Sequence, residues 1–240
     1  RVVAPGFIDI HTHARRGIFE VPTADNYVRQ GVTTLVEGQD GSSPLPLGAF
    51  LAKVAALRPA VNFASLVGHG SIREAAMGTP DRPPSAAELA RMQDLVREAM
   101  LDGAFGLSTG LFYVPGTFAR TDEVVALARV AGERGGIHIS HVRDEAAGVG
   151  ASVEETIAIG EDGRLPTQVT HHKIIGKASW GRSVETLRLL AEARRRGVDA
   201  TVDQYPYTAS STSLAAALFP VWALEGGAEA VARRLASTAA

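Results

Sequence analysis

His11 and His13 stand one residue apart at the end of an apolar run, Ala4-Pro5-Gly6-Phe7-Ile8-Asp9-Ile10. In an extended strand, side chains two residues apart project from one face. Both imidazoles can then reach one divalent ion while Ile10 and Thr12 turn the other way. Taken alone, such a pair is as readily two surface histidines at a strand end. The other histidines favour the metal. All seven, at positions 11, 13, 69, 138, 141, 171 and 172, fall at or near the C-terminal end of a predicted strand, and none falls in a predicted helix.

The chain has no cysteine, which excludes disulfides and thiolate ligands. Any metal must be held by imidazole and carboxylate, a donor set that suits zinc or a similar divalent ion. With 240 residues, 45% of them hydrophobic, the composition is that of one globular domain with a substantial core. Basic and acidic residues nearly balance, 24 against 26, so no nucleic-acid partner is implied. There is no run of about 18 apolar residues and no signal-like start, so no membrane partner is implied and a cytoplasmic location is the default.

The elements that must position these histidines alternate in type. Strands are expected near Val3-Ile10, Thr33-Glu37, Val61-Val67, Gly103-Ser108, Gly136-Ser140, Pro166-Thr170 and Val198-Asp203. Helices are expected near 23–30, 47–57, 85–102, 121–134, 150–160 and 184–196, the third opening on the capping-box pattern Ser85-Ala86-Ala87-Glu88. Serial βα units imply a parallel sheet. Seven are one short of a (β/α)8 barrel, whose chemistry sits at the C-terminal ends of the strands.

The polar residues gather at those ends: His11 and His13, then Gln39 and Asp40, His69, His141, His171 with Lys173, and Tyr205 with Tyr207. A doubly wound open sheet would confine its ligands to one switch point. Six strand ends carry candidates here, which favours the α/β barrel, apparently truncated after the seventh strand. A metal-free isomerase of the same fold would have no use for so many strand-end histidines.

Pro5-Gly6-Phe7-Ile8-Asp9-Ile10-His11-Thr12-His13 resembles the first-strand signature of the amidohydrolase superfamily. Further runs narrow the resemblance. Gly68-His69-Gly70-Ser71-Ile72-Arg73, Gly106-Leu107-Ser108-Thr109-Gly110-Leu111-Phe112-Tyr113, Ser140-His141-Val142-Arg143-Asp144-Glu145, His171-His172-Lys173, Gly181-Arg182-Ser183 and Asp203-Gln204-Tyr205-Pro206-Tyr207-Thr208-Ala209 are similar to D-aminoacylases, the N-acyl-D-amino-acid deacylases. That resemblance implies a metal-dependent barrel that hydrolyses the amide of a small N-acylated D-amino acid.

It also implies one or two zinc ions, with His11 and His13 at one site and His141 and His171 at the other. Asp40 stands where the family commonly has cysteine, and as a carboxylate it can serve as a terminal or bridging ligand. Lys173, Tyr113, Tyr205 and Ser211 match positions that contact the substrate's carboxylate or amide. The family's catalytic aspartate lies on an eighth strand, expected beyond residue 240. Residues 1–240 are accordingly expected to be a catalytic-domain fragment, without that strand and without the flanking segments of a small β-domain. The chain ends at Ala240 in a helix-like stretch.

Plainer readings accompany the sharp ones. His69, in Gly-His-Gly, suits a loop-top hydrogen bond or a contact behind the ligands. His138 suits a satisfied core position, and His172 should face away from the ion. Tyr113, beside Pro115-Gly116, suits a loop cap as well as a substrate contact. Asp144 and Glu145 suit salt bridges with Arg143 or its neighbours, and Asp203 a role in the fold or behind a ligand. Arg194-Arg195-Arg196 suits a solvated helix end. The alternatives to a deacylase are another amidohydrolase, such as a cyclic amidase or an unusual dipeptidase, and a catalytically silent barrel that binds metal or a partner.

Overall fold

The computed structural model describes residues 2–237. The alternation expected from the apolar runs is present. In chain order the elements are β1 (Phe7–Asp9), α1 (Gly17–Glu20), α2 (Asp25–Val28), β2 (Val32–Glu37), α3 (Leu47–Leu57), β3 (Asn62–Ser65), β4 (Val67–Gly68), α4 (His69–Met77), α5 (Ala86–Leu101), β5 (Gly106–Gly110), α6 (Thr121–Gly132), β6 (Ile137–His141), α7 (Val149–Gly163), β7 (Thr167–Val169), α8 (Ser183–Arg195), β8 (Ala200–Val202), α9 (Leu214–Leu218) and α10 (Gly227–Ala236). All the strand pairings are parallel. The helix-like ending is α10, while residues 238–240 lie outside the described residues. No helix among the described residues is long and apolar enough to cross a membrane.

Two features of the strand pairing depart from the sequence reading. The first strand shortens to three residues, and its Phe7 and Ile8 are 66% and 67% exposed. Paired only with β2 among the described residues, it is an edge strand. The third strand is split at Leu66, so that β1-β2-β3 and β4 through β8 form two sheets. Leu66 donates its N–H to Glu37 O at 2.8 Å, and Phe105 N reaches Ser65 O at 2.9 Å. One residue thus hands the chain from one sheet to the next, and the described strands do not close a barrel.

Packing curls this array. Leu66 is fully buried and clusters with Val36 of β2 and Ile139 of β6, with Ile10 packed alongside. The helices cover the outside, where Met92 and Val96 of α5, Val124 and Leu127 of α6 and Ile159 of α7 share a core with Val67 and Leu107. The Ser85 capping box forms as its sequence predicts: Ser85 Oγ accepts from Glu88 N, and the Glu88 carboxylate accepts from Ser85 N.

His138 is the second residue of β6, not a strand-end residue, and it is fully buried. Its ring nitrogens lie 3.0 Å from Thr109 Oγ1 and 2.8 Å from Thr167 Oγ1. This is the satisfied core histidine of the plainer reading. Burial, assisted by the charge of His69, pushes its pKa down to about 3. Because the native state favours the neutral ring, its contribution is complete above the unfolded value of about 6.5 and is lost as pH falls from there towards 3. Between pH 7 and pH 4 the protein should lose about 3 kcal/mol more stability than a His138→Gln variant loses. Urea titrations at both pH values measure this, and equal losses would refute it.

Candidate metal centre

Each element delivers its side chain by a local device. β1 ends at Asp9, before the histidines. Thr12 then turns inward, its N–H and hydroxyl both bonding Val36 O at 3.1 and 3.0 Å, so His11 and His13 face the other way. Their rings lie 5.4 Å apart. His141 closes β6, and His171 follows β7 in a left-handed conformation, φ 38°.

Asp40 comes from the loop Gly38-Gln39-Asp40-Gly41 after β2, and it too is left-handed, at φ 55°. Aspartate tolerates that region better than most residues. Ser108 of β5 holds the loop from beneath, donating to Gly38 O and accepting from Gly41 N. Gln39 Nε2 donates to Ile10 O at 2.6 Å. The loop sits so close to its neighbours that a Cβ at Gly110 would collide with Asp40 O, and one at Gly68 would lie 2.5 Å from Gly41 O. This explains the glycines in the Gly-His-Gly and Ser-Thr-Gly runs.

The two oxygens of Asp40 address different histidine pairs. Oδ2 lies 3.3 Å from His13 Nε2 and 3.9 Å from His11 Nε2. Oδ1 lies 3.5 Å from His141 Nδ1 and 3.6 Å from His171 Nε2. Two ligands of one tetrahedral zinc, each about 2.0–2.1 Å from it, stand roughly 3.3 Å apart. Within each group of three, all donor atoms lie within 4.8 Å of one another. Asp40 Oδ1 is buried with no hydrogen-bond partner. The residues fit a divalent ion on either side of the carboxylate.

The electrostatics match this geometry. Burial works to raise the Asp40 pKa, but His13, His141 and His171 overcome it and hold the carboxyl far below the usual carboxylate range. Burial pulls His171 down, yet Asp40 and Glu145 together raise it to about 9. His141 is lowered by burial. The far sides of the rings are held as well. Thr170 Oγ1 bonds His11 Nδ1, and Asp203 Oδ2 stands 3.6 Å from the same atom. Glu145 Oε1 stands 3.1 Å from His171 Nδ1 and 4.0 Å from His141 Nε2. Such contacts fix the orientation of a ligating imidazole.

Lys173, Tyr113, Tyr205 and Ser211 line one cavity of about 740 Å³ with His11, His13, Asp40, His141 and His171. Lys173 Nζ pairs with Glu145, lies 2.9 Å from His171 Nδ1, and stands 5.8 Å from the Tyr205 ring centre. Tyr113 packs its ring 4.6 Å from that of His141, and its hydroxyl lies 3.0 Å from Thr212 Oγ1. Lys173 reaches His171 through a turn, because the strand stops at Val169.

The other histidines stand apart. His172 is buried against Thr186 Oγ1 at 2.8 Å. His69 opens helix α4, contrary to the expectation that no histidine is helical, because Gly68 serves as the N-cap of a helix hidden in the Gly-His-Gly run. It is fully buried and meets Glu123 Oε1 at 2.8 Å. Asp144 caps the turn at Ala146 and Gly148, and Arg143 pairs with Glu155, so neither pairs with the other. Glu145 forms a salt bridge, as the sequence suggests, but with Lys173 and beside the candidate ligands; its spacing of four from His141 is the one local signal that could have placed it there.

No protein-family model matches the chain. An N-acyl-D-glutamate deacylase of Alcaligenes xylosoxydans xylosoxydans is 40% identical over 236 residues, covering 89% of this chain and 48% of the relative. The crystal structure of N-acyl-D-glutamate deacylase from Bordetella bronchiseptica, complexed with zinc and a phosphonate mimic of the tetrahedral intermediate, superposes with TM-score 0.80 at 44% identity, over 85% of this chain and 48% of that one. A solved D-aminoacylase with a binuclear metal centre superposes with TM-score 0.79 at 36% identity, over 85% and 48%. The chain is similar to the D-aminoacylase family of amidohydrolases over most of its own length. It spans about half the length of the relatives it matches.

Proposed function

We propose that this chain carries the metal ligands and part of the substrate pocket of a zinc-dependent hydrolase that converts N-acyl-D-amino acids to a carboxylate and a free D-amino acid. The observation that carries this reading is the sharing of Asp40 between two histidine pairs at the ends of parallel strands, in a chain similar to this family. His11, His13 and Asp40 would hold one ion, and Asp40, His141 and His171 the other. The strand array is read as seven staves of a (β/α)8 barrel. Its curl supports this, since Thr170 after β7 touches His11 after β1.

A divalent ion held there supplies Lewis acidity, polarising an amide carbonyl and making water a nucleophile at neutral pH. The chain's own residues do the rest. Glu145, Thr170 and Asp203 fix the ligand rings. Lys173, with Tyr205 and Ser211, receives the substrate's carboxylate, and Tyr113 orients the amide beside His141. Asp203 already accepts from His171 N and from Gln168 Nε2 at 2.5 Å. It is therefore engaged as a support and not as the group that delivers a proton to the leaving amine.

The test is zinc content together with amine release from N-acetyl-D- and N-acetyl-L-amino acids, measured on the full-length gene product and on this 240-residue chain. Bound zinc and D-selective release from the full-length protein are expected, with chelation abolishing release and added zinc restoring it. A full-length protein with neither zinc nor hydrolysis would overturn the assignment.

A further inference from the structure

Three stitches join the end of β2 to the loop that carries His11 and His13. Val36 O accepts from Thr12, the Glu37 carboxylate accepts from Arg15, and Gln39 Nε2 donates to Ile10 O. The first and last are uncharged. The middle one uses a carboxylate that is fully buried. Glu37 Oε2 accepts from Arg15 N at 3.2 Å, and Oε1 stands 3.1 Å from Arg15 Nε, an ion pair without hydrogen-bond geometry. The same guanidinium extends through Nη1 to Ser42 Oγ at 3.2 Å. Arg15 lies two residues past His13, and Ser42 two past Asp40. Glu37, Arg15 and Ser42 thus tie the His13 arm to the Asp40 loop.

A buried ion pair adds little to stability, because desolvating the two charges offsets most of their attraction. What this pair adds to its neutral neighbours is a grip on the backbone and the side chain of one residue, with the planar guanidinium reaching on to a second loop. The distance at stake is that from His13 Nε2 to Asp40 Oδ2, 3.3 Å, which is the separation of two ligands of one tetrahedral zinc. Ser108 already holds the Asp40 loop at Gly38 and Gly41. The arm that drifts when the clamp is loosened is therefore that of His13. Resting on the metal centre of the deacylase reading, we infer that Glu37, acting through Arg15, is a positioning residue that sets His13 against the Asp40 carboxylate and so fixes the affinity of the ion held by His11, His13 and Asp40. The ion held by Asp40, His141 and His171 does not depend on it.

The experiment measures the zinc affinities of the full-length gene product by competition with a chromophoric chelator, alongside urea unfolding of the metal-free protein. Glu37→Gln keeps the size of the side chain and an acceptor for Arg15 N but removes the charge. It should weaken one zinc about tenfold, as losing a group that orients a ligand does, and leave the other within about twofold. Ser42 is exposed, so Ser42→Ala cuts the far end of the clamp without disturbing the core and serves if Glu37→Gln does not fold. It should weaken the same zinc about threefold, the worth of one hydrogen bond. Because both substitutions act through Arg15, the double variant should lose no more than Glu37→Gln alone, whereas independent effects would multiply. A merely structural clamp would lower urea stability while changing both zinc affinities equally or neither. Equal losses at both ions, losses that multiply in the double variant, or affinities unchanged in folded variants would each overturn the inference and leave the deacylase reading in place. A wild-type protein that binds no zinc would overturn both.

Discussion

Asp40→Asn should leave the protein unable to retain zinc. Both groups of donors depend on this one carboxylate, so the substitution removes a ligand from each side at once. The amide is neutral, and the atom facing one of the two histidine pairs becomes a nitrogen with no lone pair to give. A loss of at least about 100-fold in affinity at each site is expected, about 2.7 kcal/mol per ion. Asparagine keeps the size of aspartate and tolerates its left-handed φ of 55°, so folding should be preserved. Asp40→Cys restores an anionic ligand and should recover metal. Metal content after dialysis against buffered zinc decides the matter, with circular dichroism to confirm folding. Full zinc in a folded Asp40→Asn protein would refute the shared role.

Glu123→Ala should destabilise the protein by about 3–5 kcal/mol, the usual cost of leaving a buried charge without its partner. Glu123 is 3% exposed, and His69 and Arg73 are fully buried. Arg73 Nη1 meets Glu123 Oε2 at 2.5 Å, while its Nη2 reaches Arg82 O at 2.7 Å. Burial works to raise the Glu123 pKa, and His69 and Arg73 reverse it, keeping the carboxylate charged. The double variant Arg73→Met, Glu123→Met removes both charges and should recover much of the loss. Because Ser71 N at the start of α4 bonds Gly41 O, next to Asp40, the single variant should also bind zinc more weakly. Urea unfolding of the single and double variants tests this, and a loss below 1 kcal/mol in the single variant would refute it.

The sequence revealed the histidine ligand candidates because strand ends are written in local pattern: apolar run, then imidazole, then glycine-rich loop. The contact of Lys173 with His171 is made by a turn and not by the pleat, since the strand ends at Val169. Other features carry no local signature. Glu123 lies 50 residues from Arg73 in the chain, and Thr170 and Asp203 reach His11 from the other end of it. The break at Leu66 is invisible to an alternating pattern, because a one-residue offset leaves the apolar composition of the run unchanged. α4 carries no local signature either, because a helix opening on Gly68-His69-Gly70 has no side-chain cap and reads as a loop.

The break at Leu66 also divides the metal-facing groups between two rafts of strands. His11, His13 and Asp40 follow β1 and β2 on one, and His141 and His171 follow β6 and β7 on the other. An ion gripped between Asp40 and the second pair is therefore a rivet across a seam, and its binding free energy is added to the cohesion of the two rafts. Stripping a bound metal should therefore loosen that joint.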